Sequence, residues 1–346
     1  SMEPFRAFVG DMLRKDQHTA GYSLQTAFIG AGAVVGSIFP WVLDHLGVAN
    51  EVAGGGIPDT VKYSFWFGGL IYLLSVLWTV FSTQEYSPEE LRAFGQDSAD
   101  GDSSTIRALA ARSPVSALVW IAAGAGVAML VSIMGLEKEV YLLAGLMAGY
   151  GLASLIAIQL AKGGRSNNML SHIVGDFSGM PEIMKKLALA QFFSWSALFI
   201  MWIYTTPVVA QYAFGSSDPA SGAYNEGGNW VGILFAVYNG VAAIAALFIL
   251  PNLTERIGKV RTRMACLLAG SAGFTAFLFI RDPQMLLLAE IGIGIAWASI
   301  LAMPYAILAS SLPQGKLGIY MGLFNIFIVV PQLLVATVMG SILKAF

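Results

Sequence analysis

Long apolar stretches separated by short polar segments run through the whole chain. Nine of them come near or exceed the roughly 18 residues that a helix needs to cross a bilayer. A shorter apolar stretch precedes them and ends near Leu13. The pattern predicts a polytopic, all-α bundle of transmembrane helices, with spans at 22–43, 63–82, 114–135, 140–161, 187–210, 230–251, 264–280, 285–312 and 319–343.

The composition agrees with a membrane protein. Hydrophobic residues make up 56% of the chain and charged residues 12%, whereas soluble domains carry about 25% charged residues. The single cysteine, Cys266, has no partner for a disulfide within the chain. Because His18, His45 and His172 fall in predicted loops, no metal ligands are expected inside the membrane, and we expect no metal and no cofactor.

The distribution of Lys and Arg predicts the orientation of the spans. If the loop 14–18 is cytoplasmic and the spans alternate from there, fourteen basic residues collect on the cytoplasmic side and four on the opposite side. Arg6 is the one basic residue that this topology places within the membrane.

An internal repeat is the main signal of domain organisation. The segment MEPFRAFVGDMLRKDQHTAGYS aligns with AMPYAILASSLPQGKLGIY, and both copies place a helix with an early proline before a short basic loop and a new span. A chance likeness between apolar helices is the alternative. The aligned pairs are Pro4 with Pro304, Phe5 with Tyr305, Asp11 with Ser311 and, after a three-residue gap, Gly21 with Gly318.

The repeat predicts a fold of two six-helix halves, incomplete in this sequence. The first span then corresponds to helix 4, so three helices are expected to be missing upstream and one after the last residue. Residues 1–83 would hold helices 4–6, and 182–346 would hold helices 7–11. The segment 84–181 would be a cytoplasmic linker followed by two extra transmembrane helices.

Charged side chains within the first apolar stretch are candidates for function. A charge near the bilayer centre costs about 2.5 to 3.5 kcal/mol and usually faces a cavity or a partner. Glu3 and Arg6 lie three residues apart on one helix face, where Arg6 could bind a polar substrate and Glu3 could orient it or carry a proton. A structural ion pair is the alternative. Asp11 is expected to be a helix-end charge. Glu290, near the outer end of its span, is expected to be a surface residue, with a role in proton coupling as the alternative.

The span at 187–210 is the most aromatic of the chain. Gln191 and Trp195 share one face with Trp202, which predicts either a cavity-lining stripe or an aromatic packing belt. The segment from Tyr204 to Pro207 is expected to loosen this helix. Indoles, hydroxyls and amides are groups that stack on and hydrogen-bond to sugars. Further polar candidates within spans are Gln25, Tyr238, Asn239, Trp297, Tyr305, Asn325 and Gln332.

Two glycine-rich stretches superficially resemble nucleotide-binding loops. GAGAVVG (30–36) and GIGIAW (292–297) lie in the middle of apolar spans without a preceding strand. We therefore expect these glycines to serve close packing between helices.

The loop PNLTERIGKVRTR (251–263) resembles the cytoplasmic signature of the major facilitator superfamily, G-x-x-x-D-R-x-G-R-R, in its second-half copy. Pro251 replaces the first glycine of that signature. The resemblance implies a gating loop whose charge pairs lock one transport state. Its residues would be Glu255 as the acid, Arg256 and Gly258 as matches, and Lys259 and Arg261 as the basic end.

Five further segments resemble bacterial relatives of sucrose:proton symporters, in the glycoside and sucrose cation-symporter branch of that superfamily. They are EPFRAFVGDML, QFFSWSALFIMWIYTTP, YNEGGNWVG, GIAWASILAMPYAIL and GLFNIFIVVPQ. The resemblance implies that Arg6 contacts the substrate and that Asp11 pairs with the absent first-half signature loop. It also implies a central sugar cavity lined by helices 1, 4, 7 and 10 of the full fold.

The resulting expectation is a proton-coupled disaccharide or glycoside symporter that works by alternating access in the inner membrane of a bacterium. The incomplete chain itself is not expected to transport. The expected partners are a sugar, protons with Na⁺ as the alternative ion, and lipid; no nucleic acid is expected, and the protein is expected to be a monomer. The alternatives are a non-transporting sugar sensor or scaffold and a polytopic membrane enzyme, although no catalytic constellation is evident.

Overall fold

The structure is a computed structural model that describes residues 2–14, 16–49, 57–83, 107–136, 138–165, 167–312 and 317–345, with the backbone alone at 2–4, 11 and 340–345. This part of the chain is helical and contains no strand. A π-helical segment, Ala245–Ile249, joins α8 to α9. In chain order the helices are α1 (Met2–Met12), α2 (His18–His45), α3 (Asp59–Ser82), α4 (Val115–Met134), α5 (Val140–Lys162), α6 (Met169–Ser178), α7 (Glu182–Ala213), α8 (Gly222–Ile244), α9 (Leu250–Ile257), α10 (Lys259–Ala276), α11 (Leu286–Ser311) and α12 (Leu317–Ala345).

Eight helical segments within the described residues are long and apolar enough to cross a membrane, which makes the chain a multi-pass membrane protein. One of the nine predicted spans, 264–280, corresponds to α10, which is not among these eight helices. Three basic residues, Lys259, Arg261 and Arg263, occupy the first turns of α10, and the helix ends at Ala276. The predicted span began after these basic residues and ended at residue 280, so it overestimated the apolar length of this helix.

Two compact units can be distinguished, and each is described by itself. Unit 1 comprises the described parts of Ser1–Met12, Arg92–Met201 and Leu308–Phe346. In unit 1, α4 and α5 pack along each other through small residues: Gly124 meets Ala148, and Gly151 meets Ile121. Because glycine has no side chain, the two backbones approach closely. Helix α6 packs on α5, and α1 packs on α12.

Unit 2 comprises the described parts of Leu13–Leu91 and Trp202–Ile307. Here α2 packs along α8, because Gly30 fits against Ala243 and the backbone of Asn239. On the other side of α8, Gly294 of α11 lies against Val241. Helix α10 in turn packs on α11, where Gly273 meets Ile293. The glycines at 30, 292 and 294 thus serve helix packing, as predicted, whereas Gly32 and Gly36 have open space around them and the prediction is wrong for these two.

Two local predictions are wrong. Helix α7 runs without interruption through Pro207, so the segment from Tyr204 does not loosen it. The irregular backbone lies instead in the next span, in the π-helical segment Ala245–Ile249. The histidines also do not all lie in loops. His18 starts α2 and is buried, with its Nε2 atom 3.1 Å from the carbonyl oxygen of Leu13, and His172 lies in α6.

The predicted division into 1–83, 84–181 and 182–346 stays a prediction. Most of its linker, 84–106, lies outside the described residues.

Candidate functional site

Four polar and aromatic side chains of unit 2 meet between α7, α8 and α11. They are Trp202, Tyr238, Asn239 and Trp297, and we call them the polar-aromatic cluster. The indole Nε1 of Trp202 donates a hydrogen bond to the Tyr238 hydroxyl oxygen at 3.0 Å. The indole Nε1 of Trp297 donates to Oδ1 of Asn239 at 3.2 Å. The two indole rings lie edge to face, 5.5 Å apart between centroids.

The Asn239 amide is held in one orientation. Its Nδ2 group donates to the carbonyl oxygen of Phe235, one turn back on α8, at 2.8 Å. The amide oxygen is therefore left to accept from Trp297. The side chains of Tyr238, Asn239 and Trp297 are all buried. The buried indole N–H of Trp297 thus finds an oxygen partner away from water, which a buried donor requires.

Close backbone contacts place the cluster in the interior of unit 2. A Cβ atom at Gly294 would lie 2.5 Å from the carbonyl oxygen of Tyr238. A Cβ atom at Gly30 would lie 2.8 Å from the carbonyl oxygen of Asn239. Helices α2 and α11 therefore both contact the backbone of α8, at the consecutive residues Tyr238 and Asn239. Larger side chains in place of Gly30 and Gly294 would prevent this close approach.

Glu290 lies on the same face of α11 as Gly294 and Trp297, at positions i, i+4 and i+7. It is fully buried, and neither carboxyl oxygen has a hydrogen-bond partner within the described part of the chain. It lies close enough to Tyr238 to interact electrostatically with its hydroxyl.

The prediction of a surface role for Glu290 is therefore wrong. Its distance from the start of α11 suggested access to interfacial water, but α11 is covered from its first turn. Leu286 and Ala289 are buried, and Gly273 of α10 lies against Ala289. The signal that could have found this burial is the pair of glycines that follows, Gly292 and Gly294, since glycine marks a closely packed helix face.

A second polar group lies further along α10 and α11, also within unit 2. The rings of Tyr22 and Tyr305 are 6.1 Å apart, and both residues are fully buried. Arg263 is buried as well and interacts electrostatically with Tyr305 and Cys266. This group connects α2, α10 and α11 with polar side chains.

The loop that resembles the facilitator signature adopts a specific turn. Gly258 has φ 84° and ψ 160°, a backbone conformation that is essentially restricted to glycine. Lys259 donates from Nζ to the carbonyl oxygen of Ala306 at 3.3 Å, and burial lowers its pKa. The predicted charge pairing is not seen: Glu255, Arg256 and Arg261 are exposed, and Glu255 forms no ion pair with any residue that the structure describes.

The remaining predicted site residues are distributed over both units. In unit 1, Arg6, Gln191 and Trp195 are buried, so the Arg6 guanidinium is enclosed by protein and not open to water. Asn325, also in unit 1, is half-buried. In unit 2, Gln25 and Tyr204 are half-buried. The side chains of Glu3 and Asp11 lie outside the described residues.

Comparison with protein-family models, with curated proteins and with solved structures finds no match. The resemblance to sugar symporters therefore rests on the sequence segments quoted above, and the family stays a proposal. Within the described residues no group of three or more His, Cys, Asp or Glu side chains could hold a metal ion.

Proposed function

We propose that this chain is part of a secondary active transporter of the major facilitator superfamily, a proton-coupled symporter for a disaccharide or another glycoside. The observation that carries the proposal is the polar-aromatic cluster: two indoles, a phenol and an amide inside membrane-spanning helices. Neutral hydrogen-bonding groups beside aromatic rings suit a ligand that has many hydroxyls and apolar ring faces.

Contacts of the two repeat copies support a fold of two related halves. In unit 1, the first-copy helix α1 packs on the second-copy span α12, where Gly318 lies against Ala7. In unit 2, the second-copy helix α11 meets the first-copy span α2, where Tyr305 lies near Tyr22. Each copy thus packs its proline-containing helix on the following span of the other copy. Such an exchange is expected when two repeats are related by a pseudo-two-fold axis.

The closed cluster suggests how a sugar would bind. In the structure the indole N–H groups of Trp202 and Trp297 are paired with side-chain oxygens of the protein. Sugar hydroxyls can replace these partners without leaving any buried donor unpaired. In an alternating-access cycle, we expect the pairs to open when the cavity opens and to re-form when it closes empty.

The experiment is sugar-dependent proton uptake into membrane vesicles that contain the product of the complete gene. We expect at least one disaccharide or glycoside to move protons with it, and Na⁺ to be unable to replace them. Binding of sugar without flux would favour the sensor alternative. Absence of both binding and flux across a panel of glycosides would contradict the proposal.

A matched pair of arginine variants tests the predicted substrate contact. Arg6→Lys keeps the charge but loses the forked donors of the guanidinium, so sugar binding should fall sharply. Arg165→Lys, at an exposed position of the same unit, should bind sugar as the unchanged protein does. Unchanged affinity in the Arg6 variant would remove this residue from the site.

A further inference from the structure

We propose that Glu290 is a proton-binding site in the interior of unit 2 and that its proton is the one that moves with the sugar. The coupling role rests on the proposed function, whereas the proton site stands on the structure of unit 2. The sequence favoured Glu3, or an acid outside this sequence, as the coupling acid over Glu290, whereas the packing of α11 points to Glu290.

The first step of the argument is the isolation of the carboxyl group. Glu290 is 0% exposed, and neither oxygen has a hydrogen-bond partner within the described residues. An ionised carboxylate in such a place would lose its hydration without gaining a compensating contact, whereas the neutral acid loses much less. The side chain is therefore a carboxylic acid in this conformation.

Within the part of the chain that the structure describes, the neighbouring helices place no cation at Glu290 that could replace the proton. On α8 the titratable group near Glu290 is Tyr238, an acid itself. On α10 the residues packed at this level are Ala269 and Gly273, which carry no charge. Arg263 and Cys266 of the same helix lie further along and interact with each other and with Tyr305. On α7, the cluster contributes the neutral indole of Trp202.

The second step is the position of Glu290 between two different surroundings. One turn earlier on α11, Leu286 belongs to an apolar cluster with Val209, Val231 and Leu234. One and two turns later, Gly294 and Trp297 face the polar-aromatic cluster. Glu290 therefore lies between this apolar cluster on one side and, on the other, the polar-aromatic cluster that we assign to the sugar.

This position gives the coupling a physical basis. When water enters the cluster, the carboxyl group can be hydrated and lose its proton. When the cluster closes again without a proton on Glu290, a bare carboxylate would be buried beside the Tyr238 hydroxyl. Closure therefore favours the protonated form, and Glu290 can exchange its proton only while water reaches the cluster. A metal cation fits this site less well. Cations such as Ca²⁺ take several oxygen ligands, whereas Glu290 offers one carboxyl group next to the apolar cluster around Leu286.

Infrared spectroscopy of the purified chain tests the proton site without any transport assay. At neutral pH the spectrum should contain the carbonyl stretch of a protonated carboxylic acid, shifted by exchange into D₂O. Glu290→Gln should remove this band, while Glu226→Gln, at an exposed acid on α8, should leave it. The inference would be overturned if the carboxylic-acid band persists in the Glu290 variant. It would also be overturned if this variant instead loses the absorption of an ionised carboxylate.

Folding of the variants can be followed through the lone, buried Cys266, which a thiol-reactive dye reaches only after unfolding. If Glu290→Gln exposes Cys266 at once, Glu290→Asp serves as the second variant. It keeps an acid on a shorter side chain, so the protonated-acid band should remain but shift in frequency. An unchanged band in that variant would also overturn the inference.

Vesicles with the product of the complete gene test the coupling role. In Glu290→Gln, sugar exchange should continue while sugar-dependent proton uptake is lost, because the amide cannot release a proton. Proton uptake equal to that of the unchanged protein would overturn the inference. If the unchanged protein moves no sugar, the proposed function fails, and the infrared result then decides the proton site alone.

Discussion

Helices α3 and α11 are both apolar enough to cross a membrane, yet they differ in almost every other respect. The apolar stretch of α3 is entirely unburied, and its Phe65, Trp78 and Phe81 side chains are exposed. Most of the apolar stretch of α11 is buried, and this helix holds Glu290 and Trp297. Hydropathy alone therefore does not separate a helix with an outward-facing apolar surface from a helix that carries the site.

The difference is visible in the glycines. Gly68 and Gly69 of α3 have open space around them, whereas Gly292 and Gly294 of α11 lie against the backbones of α10 and α8. Large apolar side chains suit a surface that only lipid or another apolar surface covers. Small residues next to a polar side chain instead mark a face where helices approach closely and protect that group from lipid.

The largest difference is expected between two matched variants in which one glycine, in α11 or in α3, is replaced by alanine. In Gly294→Ala the new Cβ would lie 2.5 Å from the Tyr238 carbonyl oxygen and 2.7 Å from Val241 Cβ, so α11 must move away from α8. We expect a loss of stability of about 3 kcal/mol, at the upper end for overpacked cores. The matched Gly68→Ala change should be neutral or slightly stabilising, since alanine favours helix by about 1 kcal/mol. Thermal exposure of Cys266 to a thiol-reactive dye measures both, and equal melting temperatures would contradict the comparison.

A smaller effect is expected from replacing one tryptophan in each helix. Trp297→Phe removes the N–H donor and leaves the buried Asn239 oxygen unpaired, which should cost about 1 to 3 kcal/mol. Trp78→Phe on α3 changes an exposed ring and should stay within about 0.5 kcal/mol. The same thiol assay compares them. A larger loss for the Trp78 variant would mean that the α3 surface is the better packed of the two.

The smallest effect is expected at Lys259 of α10, which donates a hydrogen bond to Ala306 near the end of α11, and this effect depends on pH. Burial lowers the pKa of Lys259 below its ordinary value of 10.5, so between the folded and unfolded pKa values the unfolded chain binds more protons. Stability should therefore rise slightly as pH increases towards 10.5. Lys259→Met should weaken this rise, whereas Lys186→Met, at an exposed lysine, should keep it. A slope that falls with pH would contradict the burial of Lys259.

The sequence predicted the helical segments well, because their apolar length is a local property of the chain. It also predicted that Gly294 serves packing and that Trp202, Tyr238, Asn239 and Trp297 are polar groups within spans. It did not predict that these four residues meet, since that depends on how three helices align. The internal repeat stays a prediction of the sequence.

The sequence missed features that depend on neighbouring helices. Glu290 seemed close to water because its own helix begins only one turn earlier, but α10 covers that face at Ala289. Pro207 suggested a break in α7, yet the helix continues through it. The π-helical segment Ala245–Ile249 has no proline and no clear sequence signal. For Glu290 the covering helix decided the outcome, and the sequence of α11 alone does not contain that information.

Calorimetric titration of the complete gene product with a panel of disaccharides and glycosides tests the central claim most directly. It compares Trp297→Phe with Trp230→Phe, a tryptophan on α8 whose indole donates to the Pro283 carbonyl oxygen at 2.9 Å, outside the polar-aromatic cluster. We predict that one sugar binds the unchanged protein and the Trp230 variant alike and binds the Trp297 variant at least about tenfold more weakly, the equivalent of about 1.4 kcal/mol. Equal affinities for both variants would contradict the assignment of the cluster to the sugar.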